Sequence, residues 1–413
     1  MTPILDLDDW TLSLYADSTL LYSEPAVALE TDGKLSFGRA AAAEARIHTR
    51  RINQGFLTRL SADPLPQPFK AARNHADLFY HQLKALASAH PLITREPVLM
   101  IVRGTTTPEQ LGLALGIAKE CGIRVGAFVD RSIAALASRG GMGERRCLEF
   151  ATDHAEVSNA RMGVDVVRAQ VNSFPGLGIH NILDGWANVI ADAFIQHSRF
   201  DPLHAAATEQ QLYDALRSWF ELGAIPPSLS IEHQQEVRRV DLHGEALEQK
   251  LLERLEPLLS TFESGATVCL GPNATSIPGF VQLLKRRGLK TFEINRTNLL
   301  SYVEQHVSAL SNPDEVKFFT TLPAATPPAL PDFSPRPPVP LRQESTKRPA
   351  PTASTATSKI VTQPGRATHG LHATVAFPIG GQDLPWSATG DDPHTGVTLE
   401  VGGRLFTLIE VKS

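Results

Sequence analysis

Twice between residues 1 and 322, a cluster of strand-forming runs gives way to alternating helix and strand. The first cluster holds "ILDLDDWTLSLYA" and "TLLYSEPAVALE". Helical patterns at 38–48 and 70–90 follow, then the run "PVLMIVRG", a helical pattern at 107–121, the run "RVGAFV" and the helical "RSIAALAS". The second cluster begins near Cys147 with "CLEFA", "AEVSNARMG" and "DVVRAQVNSF". It continues into helical patterns at 180–198, 208–221 and 244–262, the run "ATVCLG", a pattern at 278–287 and the run "KTFEI". In the helix from Asn181, the residues Ile182, Trp186, Val189, Ile190, Ala193 and Phe194 share one face, which marks that face as core. A βββ-α-β-α unit used twice predicts an α/β architecture of two mixed sheets, with helices on the outer faces and a cleft between.

The chain divides by composition into residues 1–322, 323–370 and 371–413. The middle segment holds 11 of the 30 prolines and almost no large apolar residue, so it cannot bury enough surface to offset its ordering entropy. It is expected to be a disordered, partly polyproline linker, with "PRPPVP" as a stretch that suits an aromatic-grooved partner. After it, "VTLEV" and "LFTLIEV" alternate as strands do on either side of "GG", predicting a small β module that docks on the main body or on a protein partner.

A net charge of −5 gives no electrostatic case for nucleic acid or an anionic membrane. The three cysteines, Cys121, Cys147 and Cys269, lack metal-ligand spacing and read as buried small residues. The start is acidic rather than basic, and no apolar run approaches the roughly 18 residues of a membrane span, so a cytoplasmic location is expected.

Six segments in order carry a resemblance. Residues 4–48 run strand, hairpin, "EPAVALE" and "GRAAA"; residues 97–125, "PVLMIVRGTTTPEQLGLALGIAKECGIRV", form a strand and helix; "FVDRSIAALASRG" makes a connecting helix. Then come "RRCLEFATDHAEVSNARM", residues 174–200, and "GATVCLGPNATSIPGFVQLLKRRG". Together they resemble the nucleotide-binding domain of DnaK-type heat-shock chaperones, of the actin-like ATPase superfamily. The resemblance implies a two-lobed fold, ATP and magnesium. It also implies that Asp6, Asp130 and Glu149 are the catalytic carboxylates, Asp6 and Glu149 the metal ligands, and Asp8, Asp9, Trp10, Thr152, Gly271 and Asn273 the nucleotide-facing positions.

The departures concern the phosphates. Where the family has "D-x-G-T-T", this chain has Asp6, then Asp8, Asp9 and Trp10. Each added carboxylate at about 4 Å from a phosphate oxygen would repel it by about 4 kcal/mol at an effective dielectric near 20. In the second turn Ala151, Thr152 and Asp153 replace three glycines, although acids persist as Glu149 and Glu156. After the first helical pattern, Arg50, Arg51 and Arg59 read either as surface charges or as partners of the aspartates, and His154 reads as a turn residue. Trp10 is expected to fill the phosphate position with apolar area and hold the lobes closed. Two functions follow: a degenerate pseudo-ATPase acting as scaffold or regulator without ATP or magnesium, or an ATP-binding chaperone-type ATPase.

Overall fold

A computed structural model describes residues 2–325 and four strands beyond them, Thr374–Ile379, Gln382–Ser387, Thr398–Val401 and Arg404–Thr407. The chain falls into two compact units, Met1–Phe333 and Ser334–Ser413. In the second unit, Thr374–Ile379 pairs antiparallel with Gln382–Ser387, and Thr398–Val401 with Arg404–Thr407 across the "GG". Apart from its first three residues, the expected 323–370 linker lies outside the described residues.

The first unit is built from two mixed six-stranded sheets with one shared plan. In the first sheet, β1 (Ile4–Asp6), β2 (Leu12–Ala16) and β3 (Thr19–Glu24) form an antiparallel meander. The run that reads as a single strand from Ile4 to Ala16 thus breaks at Leu7–Thr11, and the acids occupy the turn. Three further strands, β4 (Val27–Thr31), β5 (Lys34–Phe37) and β6 (Ile52–Gln54), make a separate small sheet. Then β7 (Val98–Val102) and β8 (Val125–Asp130) return parallel beside β1. Both are buried along their whole length, which is why they read as unbroken apolar runs.

The second sheet repeats this with β9 (Gly143–Phe150), β10 (His154–Met162) and β11 (Asp165–Pro175) as the antiparallel meander. After the hairpin β12 (Ser228–His233) and β13 (Glu236–Asp241) come β14 (Thr267–Leu270) and β15 (Lys290–Glu293), parallel to β9. Two short strands close the unit: β16 (Phe318–Phe319) extends the first sheet beside β8, and β17 (Thr321–Pro323) extends the second beside β11. In order along each sheet, the five main strands read third, second, first, fourth, fifth.

Helices cover both faces of these sheets. His75–Ala89 packs on Pro108–Glu120 in the first half, and Ile179–Ser198 packs on Gly244–Leu259 and Ala206–Leu222 in the second. Pro108 sits in the first turn behind a Thr107–Gln110 capping box, so that helix begins where its sequence demands. The pattern expected at 38–48 is shorter, a helix only over Arg39–Ala42 followed by turns.

A core shared by both halves lies between the sheets, where Ile101 and Val129 of the first meet Cys147 and Cys269 of the second around Arg131–Arg139 and Arg296–Gln305. Among the described residues, no helix is long and apolar enough to cross a membrane.

Candidate functional site

The three turns at the carboxyl side of the sheets converge between the halves: Leu7–Thr11 after β1, Ala151–Asp153 after β9, and the turn after β14 that starts at Gly271. They bond to one another. Asp8 Oδ2 accepts from Arg103 Nη2 at 2.8 Å and from Asn273 Nδ2 at 2.8 Å. The carbonyl oxygen of Phe150 accepts from the same two nitrogens, at 2.8 and 2.9 Å. These four hydrogen bonds close a ring that ties the first turn to the end of β9, where the second turn begins, and to the segment after β14, and each member is buried. The other oxygen of Asp8 accepts from the Trp10 amide at 2.9 Å, which fixes the shape of the first turn.

Arginines neutralise the carboxylates. Arg131, fully buried, pairs with Asp6 and lies 2.9 Å from Asp8 Oδ2. Arg296 approaches Asp6 at 3.8 Å and donates to Ser13 Oγ at 3.3 Å and Asn273 Oδ1 at 3.4 Å. Burial raises the Asp8 carboxyl, but Arg103, Arg131 and Arg296 outweigh it and hold it well below the usual carboxylate range. On Asp6, burial is the larger influence and pushes the carboxyl up in spite of Arg131. Burial likewise pulls Arg131 down, and the carboxylates of Asp6, Asp8, Glu149 and Glu156 outweigh it and raise its pKa. Removing one partner of such a pair leaves an uncompensated buried charge and costs about 3–5 kcal/mol.

Asp130 belongs to a neighbouring group. It caps the helix Arg131–Arg139 by accepting from the amides of Ser132 and Ile133, and its other oxygen accepts from Arg168 of the second half at 2.7 Å. Burial and then Glu156 push it up to about 6. Asp9 accepts from the amides of Leu57 at 2.9 Å and Thr58 at 2.7 Å, and burial pushes it up to about 6. Its partners are therefore Leu57 and Thr58, and Arg50, Arg51 and Arg59 do not meet the aspartates. Arg51 pairs with Glu30, and Arg59 donates to the carbonyls of Gln54 and Gly55.

Trp10 leaves its own half. It is 5% exposed and belongs to the outer core of the second half, with its ring 5.6 Å from Phe220 and 6.4 Å from His180. Arg217 stacks its guanidinium 4.1 Å from the indole and donates to the Trp10 carbonyl at 2.8 Å. Truncating a buried tryptophan to alanine costs about 3–5 kcal/mol, as much as orphaning one partner of a buried ion pair.

Glu149 is the exception to this pairing. It is fully buried, neither oxygen has a hydrogen-bond partner among the described residues, and burial pushes it up to about 7 against the pull of Arg131 and Arg103. Gly271 exists to make room for it, since a Cβ there would overlap the Glu149 carboxylate. Gly178 similarly lets the next helix approach, because a Cβ would strike the backbone of Asp153 and His154. Thr152 is buried, and its hydroxyl has no hydrogen-bond partner among the described residues.

The structure thus brings Asp6, Asp8 and Asn273 into one network with Arg103, Arg131 and Arg296. It does not gather Asp6, Asp130 and Glu149 into an open carboxylate cluster, and among the described residues no three acidic, histidine or cysteine side chains are placed to hold a metal. Magnesium does not fit this donor set: Asp6 and Asp8 already face two buried guanidinium groups, which would repel a dication at contact distance. Sequence inspection missed Arg103, Arg131, Arg168 and Arg296. Arg131 carried a signal, since it opens a helix whose other residues up to Ala137 are small or apolar and all buried. No protein-family model matches the chain, and no curated protein shows significant sequence similarity to it.

Proposed function

We propose that this protein is a degenerate, chaperone-like member of the actin-fold class, a scaffold or regulator whose two lobes are held closed by its own side chains rather than by Mg-ATP. The duplicated strand order, third-second-first-fourth-fifth in both sheets, supports the two-lobed reading. The single observation that carries the functional part is the ring of Asp8, Arg103, Phe150 and Asn273, which joins the strand ends and turns expected to cradle a nucleotide. Arg131 takes the position between carboxylates where a cation is required, and Trp10 supplies the apolar contact between lobes. With the lobes closed in this way, the surface offered to protein partners is constant and does not cycle with nucleotide. Partners would be reached through the proline-rich segment or the C-terminal strands.

A thermal-shift titration with Mg-ATP tests this. A closed cleft predicts an unchanged melting temperature at millimolar nucleotide, whereas a ligand at about 100 times its Kd would add about 2.7 kcal/mol of stability. A shift of several degrees that Asp6→Ala abolishes would replace the scaffold by an ATPase.

A further inference from the structure

Beside the sealed junction, a cavity of about 450 Å³ opens between the two halves. This lies within the range of roughly 300–1,000 Å³ for small-molecule sites. One side of it is the stretch "RGTTT", residues 103–107, which links β7 to the 13-residue helix Pro108–Glu120. The other side carries Val171 and Ser173 of β11.

The groups left without partners on the first side are donors. Arg103 is 5% exposed, and its Nη2 donates to Asp8 Oδ2 and to the Phe150 carbonyl, each at 2.8 Å. Its Nε and Nη1 have no hydrogen-bond partner among the described residues. The amides of Gly104 and Thr105 likewise find no acceptor among the described residues. The carbonyls, by contrast, are engaged. That of Arg103 accepts from the Thr106 amide at 3.1 Å, that of Gly104 from Arg168 at 3.1 Å, and that of Thr58 from Gln110 at 2.8 Å. His154 and Thr105 contact each other, and each has an acidic partner, Asp153 and Glu156, so neither is needed to hold a ligand.

Charge points the same way. Among the described residues, Asp8 is the one carboxylate in ion-pair contact with Arg103, and it also lies 2.9 Å from Arg131. Arg131 and Arg296 share Asp6, so in this ring two carboxylates serve three guanidinium groups. The helix that starts at Pro108 adds the positive end of its dipole. A buried cation with unmade hydrogen bonds is costly, and an oxyanion supplies both the opposite charge and the acceptors.

Shape selects the oxyanion. Both protons of Nη2 are taken, so Arg103 cannot offer the two-pronged fork that holds a planar carboxylate. Donors that come separately from a guanidinium, two backbone amides and the hydroxyls of Thr106 and Ser173 suit a tetrahedral phosphate. Leu57 and Val171 line the rest of the wall and leave an apolar surface for a small organic group.

We propose that this cavity binds the phosphate group of a small phosphorylated molecule, seated on Arg103 and the turn 104–106 and closed by Ser173 of the other half. The site uses the turn after β7, not the turns after β1, β9 and β14 that meet at the junction. It goes beyond the scaffold reading, because a ligand touching both halves adjusts how firmly they close.

The test is isothermal titration of the full chain, without magnesium, with inorganic phosphate, glycerol phosphate, glycerol and acetate. The two phosphate-bearing probes are expected to bind saturably and to raise the melting temperature, while glycerol and acetate give no binding heat. Ser173 is exposed, so its charge can be changed with the fold retained, which the ligand-free melt checks. Ser173→Asp then weakens phosphate binding at least tenfold, and Ser173→Lys strengthens it. Thr106→Val, which removes a hydroxyl and keeps the shape, weakens it as well. The proposal is overturned if neither phosphate-bearing probe binds, if glycerol or acetate binds as tightly, or if both Ser173 variants leave the affinity unchanged.

Discussion

Glu149 has a fully buried carboxyl with no hydrogen-bond partner among the described residues, and the pH dependence of folding should expose it. Burial raises its pKa from 4.5 to about 7. Between those values the folded protein holds a proton that the unfolded chain releases, so stability falls as pH rises through this window. The difference of about 2.5 units corresponds to at most on the order of 3 kcal/mol. Asp9 and Asp130, both raised to about 6, contribute with the same sign. Asp8 has the opposite sign, and its contribution is lost only as pH falls below the ordinary carboxylate range. Glu149→Gln should flatten the slope and make the protein more stable than wild type at about pH 8, as read by urea denaturation from about pH 5 upward. An unchanged slope in the variant would assign the pH dependence to other groups.

At the scale of elements, the segment from Phe318 to Pro323 does what no other described strand does, adding β16 to the edge of one sheet and β17 to the edge of the other. Its hold continues as the amides of Ala324 and Ala325 donate to the carbonyls of Val164 and Ala137, each at 2.8 Å. Leu322, 1% exposed, inserts into the core shared by the two sheets. Leu322→Ala should therefore cost about 2–5 kcal/mol, measured as a lower denaturant midpoint with an unchanged slope. A loss below about 0.5 kcal/mol would mean that the strap adds little to the shared core. This strap was illegible in the sequence, because "FFTTLPAATPP" runs into proline-rich composition and its partners are remote; a boundary at residue 322 cuts through it. The main strands were legible for the opposite reason, since buried parallel strands such as Val98–Val102 need apolar residues on both faces. The acids were legible as a junction, because three aspartates after an apolar strand must find partners. Those partners were not legible: Arg103 lies 95 positions from Asp8, and Arg131 lies 125 from Asp6.

At the scale of the whole unit, two kinds of contact join the halves, and they fail differently. The polar ring and the Asp130–Arg168 pair are directional, so they fix how the halves are oriented once they meet. Trp10 is bulky and apolar, and it gains most of its energy from leaving water, wherever its exact partners stand. Losing the indole leaves the ring bonded but removes the apolar plug beside it, so water gains access to the first and second turns. Trp10→Ala should lower stability by about 3–5 kcal/mol. It should also speed hydrogen exchange at the amides of Trp10, Ala151 and Ile179, which lie at or beside this junction. Amides in the outer core of the first half, around Leu83 and Phe79, should keep their protection up to the new global limit, because that core lacks Trp10. Uniform acceleration throughout the unit would mean that the halves unfold as one body and that Trp10 has no special part in their closure. Acceleration confined to the junction would identify it as the closing element.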